Sequence, residues 1–145
     1  MRALLINPFS ESISEIDYDG DWKSIARLIA IEHRPFTLVS LGDPERHHIY
    51  LDDEGLYQPA QRFFILRSYP SPLAGRGLVL RDGPDGDEAE ATLTLESLAA
   101  AIKWLPASIR FTGTTTREGE TDHPLLGRVS FIESTPRFID TKRMN

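Results

Sequence analysis

Apolar residues recur along the chain in short runs, and their spacing predicts strands with two helices set among them. Ala3–Ile6 reads as a short buried strand closed by the Asn7-Pro8 turn signal. Ile13–Tyr18 is extended and partly alternating, which predicts a β-hairpin over Asn7–Ser12. A first helix starts at Gly20-Asp21 with Asp21 as its cap, carried by Trp22, Ile25, Ala26 and Ile29 at i, i+3, i+4 and i+7. Arg34 precedes Pro35, a placement that disfavours helix, so this helix should stop by about His33. Phe36–Leu41, His48–Leu51, Phe63–Leu66 and Gly77–Leu80 are strand-length runs, with turns at Gly42-Asp43-Pro44 and Asp52-Asp53-Glu54-Gly55. Pro70–Arg76 is too rich in Pro and Gly for regular structure, and Asp82–Ala91 reads as an acidic loop. Thr94 should cap a second helix running from Leu95 to Leu105, stopped by Pro106. Ile109–Phe111 and Val129–Ile132 are late strands, and the polar stretch Gly113–Asp122 between them suggests a mobile hairpin arm or loop. Strands in runs with two inserted helices predict an α+β fold, a mainly antiparallel sheet of short strands with two helices packed on it. Residues 1–145 are expected to form a single domain, with 106–145 a C-terminal β extension.

Composition narrows the chemistry. No Cys occurs in the 145 residues, which removes disulfide scaffolds, thiol catalysis and cysteine-ligated metal sites. With 16 Lys and Arg against 22 Asp and Glu the net charge is −6, which argues against direct nucleic-acid binding through a broadly basic surface. The N-terminal apolar run is only four residues long, and no run approaches the roughly 20 needed to span a bilayer. A cytoplasmic protein with no membrane partner is the expectation.

Candidate catalytic groups fall away one by one. Asp17-Tyr18-Asp19-Gly20-Asp21 resembles the start of a calcium loop, but Trp22 and Leu28 stand where an EF-hand needs Gly and Glu. The same string is similar to the opening of haloacid-dehalogenase-type phosphatases, whose chemistry needs an apolar strand where Ser12–Ile16 is polar. The simpler reading gives Asp17 and Asp19 to a turn and Asp21 to the helix cap. His33, His47, His48 and His123 show no metal-ligand spacing, and adjacent strand residues such as His47 and His48 face opposite ways. No metal, cofactor or catalytic residue is therefore expected. Gly75, Arg76 and Gly77 could hold one anion between backbone amides and guanidinium, with Lys23 and Arg27 from a basic stripe that also takes in Arg34. A tight entry into the following strand explains the same glycines. On the second helix, Leu95, Leu98, Ala99, Ile102 and Leu105 make the core stripe, leaving Ser97, Ala100, Ala101 and Trp104 on the back as a docking face if no other element covers them. Asp82, Asp85, Asp87 and Glu88 add an acidic patch that would steer toward a basic partner should the acidic turns converge.

Several stretches resemble a known family when taken together: Leu5-Ile6-Asn7-Pro8, Ile16–Asp21 leading into Lys23-Ser24-Ile25, Leu51–Leu56, and above all Pro72-Leu73-Ala74-Gly75-Arg76-Gly77-Leu78-Val79-Leu80. The set is similar to a small domain of unknown function found on phages, prophages and plasmids, over about residues 1–105. The resemblance brings no catalytic residues with it. It implies a non-enzymatic accessory protein that binds a host macromolecule, a host protein of the nucleic-acid-binding defence kind included, and so a counter-defence inhibitor; a homodimer stays open. The alternatives are a small-ligand binder that sequesters a nucleotide through Arg76, Arg27 and Lys23, and, further off, a metal-dependent phosphatase built on Asp17 and Asp19.

Overall fold

Arg2–Asn7 (β1) turns back onto Ser12–Asp17 (β2), paired in register from Arg2↔Asp17 to Asn7↔Ser12. The computed structural model describes residues 1–32 and 34–143. The chain divides into two compact units, Met1–Ala107 and Ser108–Asn145. In the first unit the remaining strands are Phe36–Ser40 (β3), His47–Asp52 (β4), Phe63–Leu66 (β5), Leu73–Ala74 (β6), Gly77–Asp82 (β7), Glu88–Ala89 (β8) and Ile102–Trp104 (β9). The helices are Trp22–Leu28 (α1) and Leu95–Ala101 (α2). The larger sheet runs β2-β1-β7-β4-β3 with β8 added to β7, the smaller runs β6-β5-β9, and every pairing is antiparallel. With 49% strand against 14% helix, the helices are minor partners of the sheets.

Alternation along the strands sorts side chains onto two buried faces. Leu4, Ile6, Ile49, Leu51 and Val79 face Phe64, Leu66 and Leu73 of the small sheet and Leu98 of α2. Ala3, Tyr50, Leu78 and Leu80 face the other way, onto Ile25 and Ile29 from α1 and onto Ile31. Each large side chain so buried contributes about 1.5–3 kcal/mol. Both faces of the large sheet are therefore covered, α1 on one and the small sheet with α2 on the other. Among the described residues, no helix is long and apolar enough to cross a membrane.

Three sequence expectations change. The first helix is capped by Asp21, whose carboxylate accepts the Lys23 amide at 3.0 Å, but it ends at Leu28; Ala30 and Glu32 adopt left-handed φ of 59° and 57°. His33, the expected stop, lies outside the described residues. Trp22 is 63% exposed, so the buried stripe begins at Ile25. The second helix, capped by Thr94 accepting the Ser97 amide at 3.1 Å, ends at Ala101. Ile102–Trp104 is a strand instead, paired with Leu66–Phe64. Its Ile and Trp favour the pleated surface, and the ladder to β5 satisfies backbone groups that one more helical turn would have left at a frayed end. Short β6 also forms inside the segment expected to be irregular.

The second unit is one long hairpin. Ile109–His123 (β10) and Gly127–Asp140 (β11) pair from Ile109↔Asp140 to His123↔Gly127, with a bulge between Phe111 and Gly113. The polar stretch Gly113–Asp122 is thus strand throughout. His123 Nδ1 accepts the amides of Leu125 and Leu126 at 3.1 and 3.2 Å and shapes the tip. Phe131 lies over Gly119, where an added Cβ would meet its ring at 2.6 Å, and stacks 5.3 Å from the Arg117 guanidinium. At the base, the Thr141 hydroxyl donates to the Ser108 carbonyl at 2.8 Å.

Candidate functional site

Strand direction decides which turns meet. Arg2 lies opposite Asp17, the β1–β7 pairing runs antiparallel from Ile6↔Gly77 to Leu4↔Val79 so that β1 starts at the end where β7 finishes, and His47 lies opposite Arg81. The Asp17–Asp21 turn, the Gly42–Arg46 turn and the Asp82–Glu90 loop therefore leave the large sheet at one end. Asp17, Asp19, Asp21, Asp43, Glu45, Asp82, Asp85, Asp87, Glu88 and Glu90 all sit there, ten of the chain's 22 acidic residues. The third acidic turn, Asp52–Glu54, follows the other end of β4 and lies at the opposite end of the sheet, beside Gly75-Arg76.

Most of these carboxylates are held by neighbours. Asp17 accepts from the N-terminal ammonium at 2.9 Å. Asp19 accepts the Asp21 amide at 2.9 Å and the Ser24 hydroxyl at 2.6 Å, and these bonds hold its carboxyl below the usual range. With Asp21 capping α1, all three Asp of the phosphatase-like string are committed to turn and cap. Asp82 meets His48 Nδ1 at 3.0 Å, and Glu88 accepts the Tyr50 hydroxyl. Asp85 and Asp87 stand exposed at the loop tip.

Behind the acidic end lies a buried cluster that sequence reasoning did not single out: Tyr18, His48 and Tyr50. The His48 and Tyr50 rings pack edge to face at 5.1 Å. Burial and the Glu88 carboxylate push both phenols well above their ordinary range. Burial pushes His48 down, against the pull of Asp82. The Tyr18 hydroxyl and His48 Nε2 are buried without a hydrogen-bond partner. Neutral forms of all three are favoured, which suits packing rather than acid–base turnover.

His47 belongs to a separate arrangement. Its Nδ1 lies 2.6 Å from Asp43 Oδ2, and its Nε2 accepts the Thr92 amide at 3.0 Å. An amide can only donate, so Nε2 holds its lone pair toward Thr92 and Nδ1 carries the proton. An Asp–His–Thr grouping thus exists, but the lone pair a general base would use is already taken. It ties the Gly42–Arg46 turn to the approach to α2. Among the described residues, no three His, Cys, Asp or Glu are grouped to hold a metal.

The remaining candidates separate. Trp104, on β9, is half-buried with its ring 6.3 Å from Phe64, while Ala100 is exposed on α2 and Ala101 packs against the core. The expected docking face of Ala100, Ala101 and Trp104 does not form, because the helix it required ends at Ala101. The basic stripe breaks too: Arg34 lies beyond α1 and pairs with Asp52 at 2.9 Å. Arg27 donates to Ser24 at 2.9 Å and shares a cleft with Asp17 and Asp19, whereas Lys23 is exposed beside Trp22. Neither lines the cleft that holds Arg76, so the three-cation phosphate site does not assemble. The glycines beside Arg76 are not an amide cradle either. The Gly75 amide donates to the Arg62 carbonyl at 3.0 Å. Gly77 sits in β7, where a Cβ would come within 2.6 Å of Ile49 Cγ2. Arg76 itself lines a cleft of about 200 Å³ with Phe9, Ile29, Ala30 and Ala60. Phe9 had no signal beyond lying in the first turn, and the turn's role appears only once α1 is packed beside it. No protein-family model, curated protein or solved structure matches the chain.

Proposed function

We propose that this chain is a non-enzymatic accessory protein of a mobile genetic element, with an α+β fold, that acts in the cytoplasm by docking its acidic sheet end on the basic surface of a host protein. A nucleic-acid-binding defence protein has such a surface, and occupying it would make this chain a counter-defence inhibitor. One observation carries the reading: three turns distant in sequence bring ten acidic residues to one end of one sheet. Ionised groups held by hydrogen bonds still contribute to the field outside, and a concentrated single-sign surface raises association rates with an oppositely charged partner. The resemblance to phage and plasmid domains supports the setting.

The test compares two double charge reversals of equal size. Asp85→Lys with Asp87→Lys alters the acidic end; Asp53→Lys with Glu54→Lys alters the opposite end. Tagged protein is used to capture partners from host lysate, with bound proteins quantified. A stoichiometric basic partner lost in the first variant and kept in the second supports the reading. Equal retention in both, or no partner at low salt, overturns it.

A further inference from the structure

We propose that the cleft around Arg76 binds a small organic carboxylate with a short apolar body, a site independent of the acidic end. Among the described residues lining the cleft, Arg76 is the cationic one, and its Nε is buried without a hydrogen-bond partner. Its guanidinium lies over the Phe9 ring, 5.8 Å from the centroid, and the Asn7 side chain fixes that turn by accepting the Phe9 amide at 3.0 Å. Among the described residues, no carboxylate reaches Arg76 as an ion-pair partner.

Among the described residues, the one carboxylate lining the cleft, that of Asp52, is already spent. Asp52 Oδ2 accepts two bonds from Arg34, at 3.2 and 2.9 Å, and Oδ1 accepts the Glu54 amide at 2.9 Å. Asp52 is therefore balanced by Arg34, and Arg76 is left as a cation facing an apolar hollow. A half-buried guanidinium with an unused donor calls for an acceptor, and a carboxylate matches its planar fork. Ile29, Ala30, Ala60 and the Phe9 ring favour an apolar body behind that carboxylate over a hydrated phosphate. At about 200 Å³ the cleft is smaller than the pockets that take drug-sized ligands, which favours a small acid. The wall is fixed in place: Gln58 and Gln61 donate to the Glu54 and Leu56 carbonyls at 3.2 and 2.9 Å. At Gly75, with φ of +80°, a Cβ would meet nothing within 4 Å, so the backbone is open on this side.

The test is nuclear magnetic resonance on the full ¹⁵N-labelled chain, reading the Arg76 Nε–H signal directly. Sodium benzoate, its neutral isostere benzamide, and inorganic phosphate are titrated at constant ionic strength. The expected result is a saturable shift of Arg76 Nε–H and of the Phe9 and Ala30 amides with benzoate, at least tenfold weaker with benzamide. Arg76→Gln should abolish the benzoate response, and Phe9→Ala should weaken it severalfold. No saturable benzoate shift, or an equal response to benzamide, overturns the proposal. Tighter binding of phosphate than of benzoate overturns the carboxylate assignment. If Arg76→Gln fails to fold, the benzoate–benzamide pair on the unaltered protein still decides. None of these outcomes depends on whether the acidic end binds a protein.

Discussion

Gly75 and Gly77 lie two residues apart in the most distinctive stretch of the chain, and the structure assigns them opposite reasons for being glycine. At Gly77 an added Cβ would stand 2.6 Å from Ile49 Cγ2 and 3.3 Å from Leu51 Cδ2. Carbon atoms prefer about 3.5–4.0 Å, so one contact is nearly an ångström too short inside a close-packed core. Overpacking of this kind costs about 1–3 kcal/mol, offset by roughly 0.4–1 kcal/mol from the lower entropy of the unfolded chain. Gly77→Ala should therefore destabilise by about 1–2 kcal/mol. At Gly75 the space is open but φ is +80°, a conformation that Asn tolerates better than Ala. Gly75→Asn should then be milder than Gly75→Ala, while at Gly77 Asn should be worse than Ala. Urea unfolding followed by tryptophan fluorescence reads all four variants. Ile49→Ala removes the clashing methyl, so combining it with Gly77→Ala should cost less than the sum of the single changes by about 1 kcal/mol. A neutral Gly77→Ala, or strict additivity with Ile49→Ala, would refute the close-approach argument.

Among the described residues, both core clusters draw only on positions from Ala3 to Trp104. Truncation after Ala107 should therefore keep a cooperative urea transition and the far-ultraviolet spectrum of the large sheet, and a broad, non-cooperative transition would contradict this. The buried His48 predicts a pH dependence whose sign is fixed. Its folded pKa is lowered by burial and by neighbouring His47, against the opposing pull of Asp82 and Glu88, so the unfolded chain takes up a proton that the folded one resists. Stability is intact above the ordinary histidine value of about 6.5 and falls as pH drops through it, by at most about 1.4 kcal/mol per pH unit. His48→Gln should flatten the pH 5–7 limb of the stability profile, and an unchanged slope would remove His48 as its source.

The elements with a buried face were legible in the sequence. β1, β4, β5 and β7 follow their apolar runs to within two residues, and both caps, Asp21 and Thr94, are where side-chain chemistry placed them. The misreadings share a cause. Leu95, Leu98 and Ile102 satisfy a helical period, yet Ile102 and Trp104 also alternate about exposed Lys103, and two spacings cannot be told apart over three residues. For Gly113–Asp122 a hairpin arm and a loop were both open readings, and the hairpin is what forms; the stretch has little face to bury, and alternation carries information only where one side of a strand leaves water. The candidate sites were legible as residue types and not as groups. Arg76 was identified, but its separation from Lys23 and Arg27 depends on which strand ends coincide. Convergence of the acidic turns is likewise a property of the strand order β2-β1-β7-β4-β3, which brings positions 17, 43 and 82 to one end although they are far apart in the chain.

The same topology lets the two proposed sites act without interfering. A six-residue strand spans about 20 Å, which puts the acidic turns and the Arg76 cleft at ends separated by roughly two Debye lengths at physiological ionic strength. The field of ten carboxylates is therefore largely screened before it reaches Arg76. The charges that bear on the cleft are the local ones, where Arg34 balances Asp52. Asp19 and Asp43 are both held below the usual carboxylate range, the latter because bonds from His47 outweigh the burial that opposes them. These two carboxylates thus keep their charge to lower pH than an ordinary aspartate does. Binding of a basic partner should weaken steeply with salt, whereas a desolvated carboxylate on Arg76 should respond to salt far less. A shared steep salt dependence would mean that the two ends are read by one ligand.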